Sequence, residues 1–277
     1  MHGTLSVEAS LHAGRTVLDT CRFTAPLKIA KPFYGDDGTT RLMLMAAAPG
    51  LLDGDWIDLD FRLGDGCKLR VQGQSCQKVF RSTGRGAGQA FTATLGAGAV
   101  LHYVPHPLIP FAGSVLASRA DIVLDPAARL LYFDGLSAGR TAMGESCAFA
   151  LLQSSLSVRV RGEGLCFVER SRLAQGYADF AGEGFFEGFA HTGFVYLFGY
   201  DAAFGQIRAQ LADLEALFPK ARVRTAVTRA ARGLCVRALA DTGEGLRAVA
   251  EVIETVCLEQ TSTITHKPQK TVRPLAF

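Results

Sequence analysis

The chain has 277 residues, 48% hydrophobic and 20% charged, with a formal net charge of +3. This balance excludes a disordered chain and is enough for one large core or two modest ones. The charge is small and its Lys and Arg are scattered, which excludes nucleic acid as a partner, since that needs basic residues gathered on one face.

The longest apolar run, Leu42 to Leu52, is interrupted by Pro49 and Gly50 and is too short to cross a bilayer. Met1-His2-Gly3-Thr4 has neither a basic start nor an apolar signal core, so a cytoplasmic protein with no membrane partner is expected. The seven cysteines include no C-x-x-C, so neither a zinc knuckle nor a redox dithiol is indicated, and most read as small buried hydrophobes.

In chain order, Asp53, Asp55, Asp58 and Asp60 come first. They offer oxygens to a hard cation, but the last two fall on the polar side of an alternating strand and read as exposed charge. Ile57, Leu59, Phe61 and Leu63 alternate with Asp58, Asp60 and Arg62. After Gly64-Asp65-Gly66, Cys67, Leu69 and Val71 alternate with Lys68, Arg70 and Gln72, and the intervening Asp-Gly predicts a hairpin. Gly84-Arg85-Gly86-Ala87-Gly88 lacks a P-loop lysine and a following helix, and reads as a loop.

Leu63-Gly64-Asp65-Gly66-Cys67-Lys68-Leu69 is echoed by Leu95 to Leu101 and again by Leu124 to Leu130. The spacing, about thirty residues, lies in the range of stacked structural units. With Gly, Asp and Pro at short intervals, it predicts a mainly β fold over roughly residues 1 to 200, with layered or helically coiled sheets.

His102 and His106 are followed or flanked by prolines that forbid the helix needed to put both imidazoles on one face. Pro105-His106-Pro107-Leu108-Ile109-Pro110-Phe111-Ala112-Gly113 is extended, apolar and poor in amide donors. Such a segment lies either on the chain's own core or on a partner. Gly144-Glu145-Ser146-Cys147-Ala148 lacks the closing glycine of a nucleophile elbow. The Phe- and Gly-rich block from Phe180 to Phe198, with His191, reads as a tight core layer or a groove.

Two α-helices are expected in the C-terminal third. Phe204, Ile207, Leu211, Leu214 and Phe218 step by three and four, with Asp201 as N-cap and Pro219 as stop. Leu246, Val249, Ile253 and Val256 do the same, after Asp241 and Glu244 in capping-box spacing. Arg222, Arg224, Arg229 and Arg232 read as a solvated face, and Leu234 to Leu239 as a strand. The resulting strand–helix–strand–helix order suggests helices laid on the sheet edges. Residues 1–260 are expected to form one β-rich domain, and 261–277 an extended polar tail.

Several motifs together resemble the urease accessory proteins UreD and UreH. They are Pro49 to Asp55, Gln74 to Ser82, the Pro105 to Gly113 run, Gly139 to Glu145, Phe186 to His191, and the strand from Leu234 with the helix after it. Asp134 stands where the family usually has a Glu before Gly-Arg, and Pro49 where it commonly has a Gly.

The resemblance implies a mostly β scaffold without catalysis of its own. Such a protein binds apo-urease, recruits UreF and through it the GTPase UreG, and serves nickel insertion within a hetero-oligomer. It implies no tightly bound cofactor, with nickel only in transit. Arg81, His106, Phe111, Arg140 and Glu145 become candidates for a partner-binding rim or passage, with Arg140 and Glu145 paired if buried. Asp55, Cys76, His106 and Glu145 become candidate transient nickel ligands. The competing expectation is a β-solenoid-like hydrolase acting on a carbohydrate or small amide, which needs paired carboxylates in a cleft and for which Asp134 and Glu145 are the candidate pair.

Overall fold

A computed structural model describes residues 1–217 and 222–262. Two β-sheets face each other across the main core. The first has seven strands, in the order Gly164–Ala174, Leu151–Val160, Val115–Leu124, Ala87–Leu95, Trp56–Leu63, His2–His12 and Arg15–Phe23. The second runs Val223–Ala230, Gly233–Ala240, His191–Phe198, Arg129–Ser137, Val100–Val104, Lys68–Gly73, Thr40–Ala46 and Leu27–Ile29, with three short strands beside this path.

From Trp56 to Val160 the chain passes alternately from one sheet to the other, so neighbours within each sheet are parallel. The three sequence echoes are the corners of this coil, and they stack in register. Leu95 pairs with Leu63 on one side and Leu124 on the other, while Leu101 pairs with Leu69 and Leu130. Cys67, Ala99 and Ala128 fill the inside of the corners and are buried. The backbone closes the stack: Gly96 N–H donates to Leu63 O at 2.8 Å, and Asp125 N–H to Leu95 O at 3.0 Å.

The hairpin expected at Gly64-Asp65-Gly66 is therefore corrected. Trp56–Leu63 and Lys68–Gly73 belong to opposite sheets, and the turn is a corner between them. Gly66 takes the expected positive φ of 70°, which serves a corner as well as a hairpin. Each flanking strand instead finds parallel partners on both sides, the first in His2–His12 and Ala87–Leu95.

The helices are α1 (Phe204–Leu217) and α2 (Gly243–Ser262). They cover the outer face of the second sheet, not the sheet edges. Ile207, Leu211, Leu246, Val249 and Ile253 pack with Leu131, Val195 and Val236 in a second core. Asp201 lies in a short 3-10 turn leading into α1, and Phe218 and Pro219 fall outside the described residues. The α2 cap is Thr242, whose hydroxyl accepts from Gly245 N–H at 3.1 Å. Asp241, expected in that role, instead receives Arg222 at 3.0 Å. Thr261 and Ser262 continue α2, and the rest of the expected tail lies outside the described residues.

The arginine-rich segment adds a strand that the charges conceal. Val223–Ala230 is an edge strand in antiparallel register with Gly233–Ala240, so the order is strand, helix, two strands, helix. Charged side chains on an edge strand keep other chains from pairing with it.

A buried polar chain ties α2 to the second sheet. Glu254 receives Arg70 at 2.5 Å and meets His102 Nδ1 at 3.3 Å, and His102 Nε2 meets the Tyr200 hydroxyl at 2.8 Å. A proton on Nδ1 satisfies both imidazole contacts, with the Tyr200 O–H donating to Nε2. Among the described residues no helix is long and apolar enough to cross a membrane.

Candidate functional site

The proline segment folds mainly onto the chain's own core. Leu108–Pro110 forms a short parallel strand between Gln77–Val79 and Arg129–Ser137, with Pro107 and Pro110 buried. Its distal end gathers the rim candidates. The Arg140 guanidinium lies 4.3 Å from the Phe111 ring centroid, and Phe111 packs against Phe80 at 4.9 Å. Arg140 holds Glu145, whose other oxygen accepts from Ala112 N–H at 2.7 Å. Arg81 bridges to Ser114, and its side chain lies across Gly113, which has a φ of 69°. Phe111, Arg140 and Glu145 therefore form one cluster, with Arg81 beside it.

His106 stands elsewhere. It lines a cavity between the two sheets, and its pKa is lowered by burial and by the charge of Arg247, against the opposing pull of Glu251. Cys76 lines the same cavity, and burial raises its thiol pKa. His102 is on the other side of the sheet, bonded to Glu254 and Tyr200. Asp55 is buried, its oxygens taken by the Met1 amine at 2.6 Å and Leu52 N–H at 2.8 Å. Burial raises its pKa, but these hydrogen bonds outweigh that and leave it lowered. Among the described residues, no three His, Cys, Asp or Glu side chains converge as a metal site requires.

The cavity has a volume of about 430 Å³ and continues into a second chamber of about 510 Å³ that shares part of its lining. One wall is a polar row on the inward face of the first sheet, where Gln89, Ser118, Ser154 and Ser171 are paired in register across four strands. The facing wall is an aromatic row, Tyr103, Tyr132 and Tyr196, also in register. Asp134, two residues beyond Tyr132, projects into the cavity. Its carboxylate is exposed to the free space, and desolvation by the protein packed around it raises its pKa to about 6. Burial, and then the Asp134 charge, push the three tyrosine pKa values upward.

From the Phe-rich block, Phe180, Phe186 and Phe189 are buried as a core layer, while Phe185, Phe186 and Glu187 also line the second chamber. Core layer and groove wall are thus both present. The cavity had a signal in the sequence, in the polar residues that interrupt inward-facing apolar positions of regular strands. The residues lie far apart in the chain and meet only through strand register.

The family model described as UreD urease accessory protein matches residues 1–273. Urease accessory protein UreD of Acetivibrio thermocellus is 38% identical over 188 residues, covering 68% of this chain and 71% of that one. UreH of Helicobacter acinonychis is 32% identical, covering 87% and 89%. UreH of Helicobacter pylori strain G27 is 31% identical, covering 92% of each. With a match of this extent and relatives this similar, the chain belongs to the UreD urease accessory protein family.

Proposed function

We propose that this chain, whose family gives it a role in urease maturation, is a cytoplasmic, non-catalytic scaffold. It binds apo-urease, recruits UreF and through it UreG, and works as one part of a hetero-oligomer during nickel insertion. The observation that carries this reading is the family match over residues 1–273.

The surface supports it. Met143, in the turn between Arg140 and Glu145, is 77% exposed, and Phe33, Tyr34 and Tyr177 are also large exposed hydrophobics. Such groups suit contact with other proteins. Nickel, if it touches this chain, meets Cys76 and His106 where they line the cavity. Glu145 and Asp55 serve only by leaving the partners they now hold.

The hydrolase reading needs two free carboxylates roughly 5–10 Å apart. Glu145 is committed to Arg140 and Ala112 N–H, while Asp134 faces the cavity. The scaffold reading is tested by pull-down with UreF followed by measurement of particle size. The lone chain should self-associate through its exposed apolar groups, and UreF should bring it into a defined complex. A chain that is monodisperse alone and fails to retain UreF contradicts the proposal.

A further inference from the structure

The outer face of the second sheet is covered unevenly. The helices pack over the strands from Val223–Ala230 to Val100–Val104, and Glu254 reaching across to Arg70 marks the side of α2. Beyond it, Lys68–Gly73, Thr40–Ala46 and the short strands Leu27–Ile29 and Phe33–Tyr34 form an open flank. Val100–Val104, Lys68–Gly73 and Thr40–Ala46 are parallel to one another. Parallel strands are ordinarily covered on both faces.

Leu42, Leu69 and Val71 point into the main core, so Arg41, Met43, Lys68 and Arg70 point outward. Phe33 lies directly opposite Arg41, and Lys28 opposite Met45, which puts both on the same outer face. Phe33 is 64% exposed and Met43 38%, an apolar floor left in water. The outer face of the first sheet is built differently. Asp60, Thr92, Asp121 and Ser157 form a polar row in register there, with Thr92 bonded to Asp60 and Ser157 to Asp121 at 2.6 Å each. That face satisfies itself and suits solvent.

The charges on the open flank have one sign. Lys28, Arg41, Lys68 and Arg70 are its charged outward residues. Among the described residues, Lys28 and Arg41 form no ion pair, and Lys68 reaches the Asp37 carbonyl at 3.5 Å. Arg70 holds Glu254, yet its Nε is buried without a hydrogen-bond partner. Three strands at about 4.8 Å spacing make a floor about 10 Å wide, the diameter of one α-helix. Together with α2 as its wall, this floor is a trough.

Sign and shape narrow the occupant. Two copies of a basic trough repel when laid face to face. Residues 263–277 of this chain carry Lys267, Lys270 and Arg273 and no Asp or Glu, so they repel it as well. A flat anionic bilayer resting on α2 stays about 10 Å from the floor. An amphipathic helix fits, with apolar anchors spaced three and four residues apart and acidic residues at its flanks.

We propose that the trough beside α2 is a docking site for an acidic amphipathic α-helix of a partner protein, seated on Phe33 and Met43 and flanked by Lys28, Arg41 and Lys68. This rests on the scaffold role proposed above and adds the surface and the kind of segment that it holds.

The test places the photo-crosslinking residue p-benzoylphenylalanine at position 43 of the full chain, co-expressed with the urease subunits, UreF and UreG. The complex is recovered, irradiated and digested, and the joined peptides are sequenced. A crosslink to a helical, Asp- and Glu-containing segment of one co-expressed partner is expected. The doubly reversed variant Lys28→Glu with Arg41→Glu should lower its yield about tenfold or more. The same probe at the exposed position 94 of the first sheet should not reach that segment. Should the position 43 chain fail to fold, position 33 carries the probe. A recovered complex without this crosslink overturns the docking site and leaves the scaffold role standing, whereas failure to recover any complex removes both. The docking site is equally overturned if the crosslink joins residues 263–277 or a second copy, or if charge reversal leaves its yield unchanged. Phosphatidylserine vesicles that bind the chain and lose it on Phe33→Ala would overturn it too.

Discussion

The Arg140 guanidinium donates from Nε to Glu145 Oε2 at 2.9 Å, closing a six-residue turn, and lies over the Phe111 ring. Glu145 is only 11% exposed while Arg140 is 43% exposed, so the two halves of the pair are not equivalent. Glu145→Ala should cost about 1–3 kcal/mol in chemical unfolding, because it also strands the Ala112 N–H. Arg140→Ala should cost roughly 1 kcal/mol or less, since solvent screens its charge. Beyond stability, Arg140→Ala should lower UreF retention in a pull-down. A folded Arg140→Ala chain that retains UreF and still activates urease would reduce the pair to a turn clamp.

Glu254 is 1% exposed and balances Arg70 beside His102. Glu254→Ala leaves a guanidinium without its carboxylate and should destabilise the chain by about 3–5 kcal/mol. Replacing both partners with apolar residues, Arg70→Met with Glu254→Leu, should recover most of that loss. Denaturant midpoints of the single and double variants check this, and a double variant no better than the single would show that the pair is not what fixes α2.

Asp134 has a folded pKa of about 6, above the ordinary carboxylate value, with desolvation by the surrounding protein as the cause. A raised carboxyl pKa favours the folded state while protonated. The stabilising contribution is therefore complete below about pH 4 and is lost as pH rises through about 6. The full shift corresponds to roughly 3 kcal/mol, which water in the cavity screens to about 1 kcal/mol. Asp134→Asn should thus melt higher than the unchanged chain at pH 8, with the gap closing towards pH 4. A gap that is absent at pH 8, or that widens on acidification, would contradict this environment for Asp134.

Leu95 is fully buried between Leu63 and Leu124 in the stacked corners. Leu95→Ala should cost about 2–5 kcal/mol. Its exposed neighbour Thr94, on the other face of the strand, should tolerate Ala within about 0.5 kcal/mol. Equal effects at the two positions would contradict the inward register of this strand.

The coil was legible because its corners repeat Leu-Gly/Asp-x-x-x-x-Leu at nearly constant spacing. The exchange between sheets was not legible at Gly64-Asp65-Gly66, since an Asp-Gly turn and period-two flanks look the same in a hairpin and in a corner. Val223–Ala230 escaped notice because its arginines suit a solvated face, and an exposed edge strand is one. The pairing of Arg140 with Glu145 was legible because an unpaired interior charge is disfavoured. The cavity wall was hidden because Gln89, Ser118, Ser154 and Ser171 become neighbours only through three strand pairings.

The central claim is tested most directly by urease activity in cells that express the urease subunits and the other accessory proteins but lack this chain, with nickel supplied. The account predicts urease protein at normal abundance but with little activity, restored when the chain is returned. Full urease activity without the chain would contradict it.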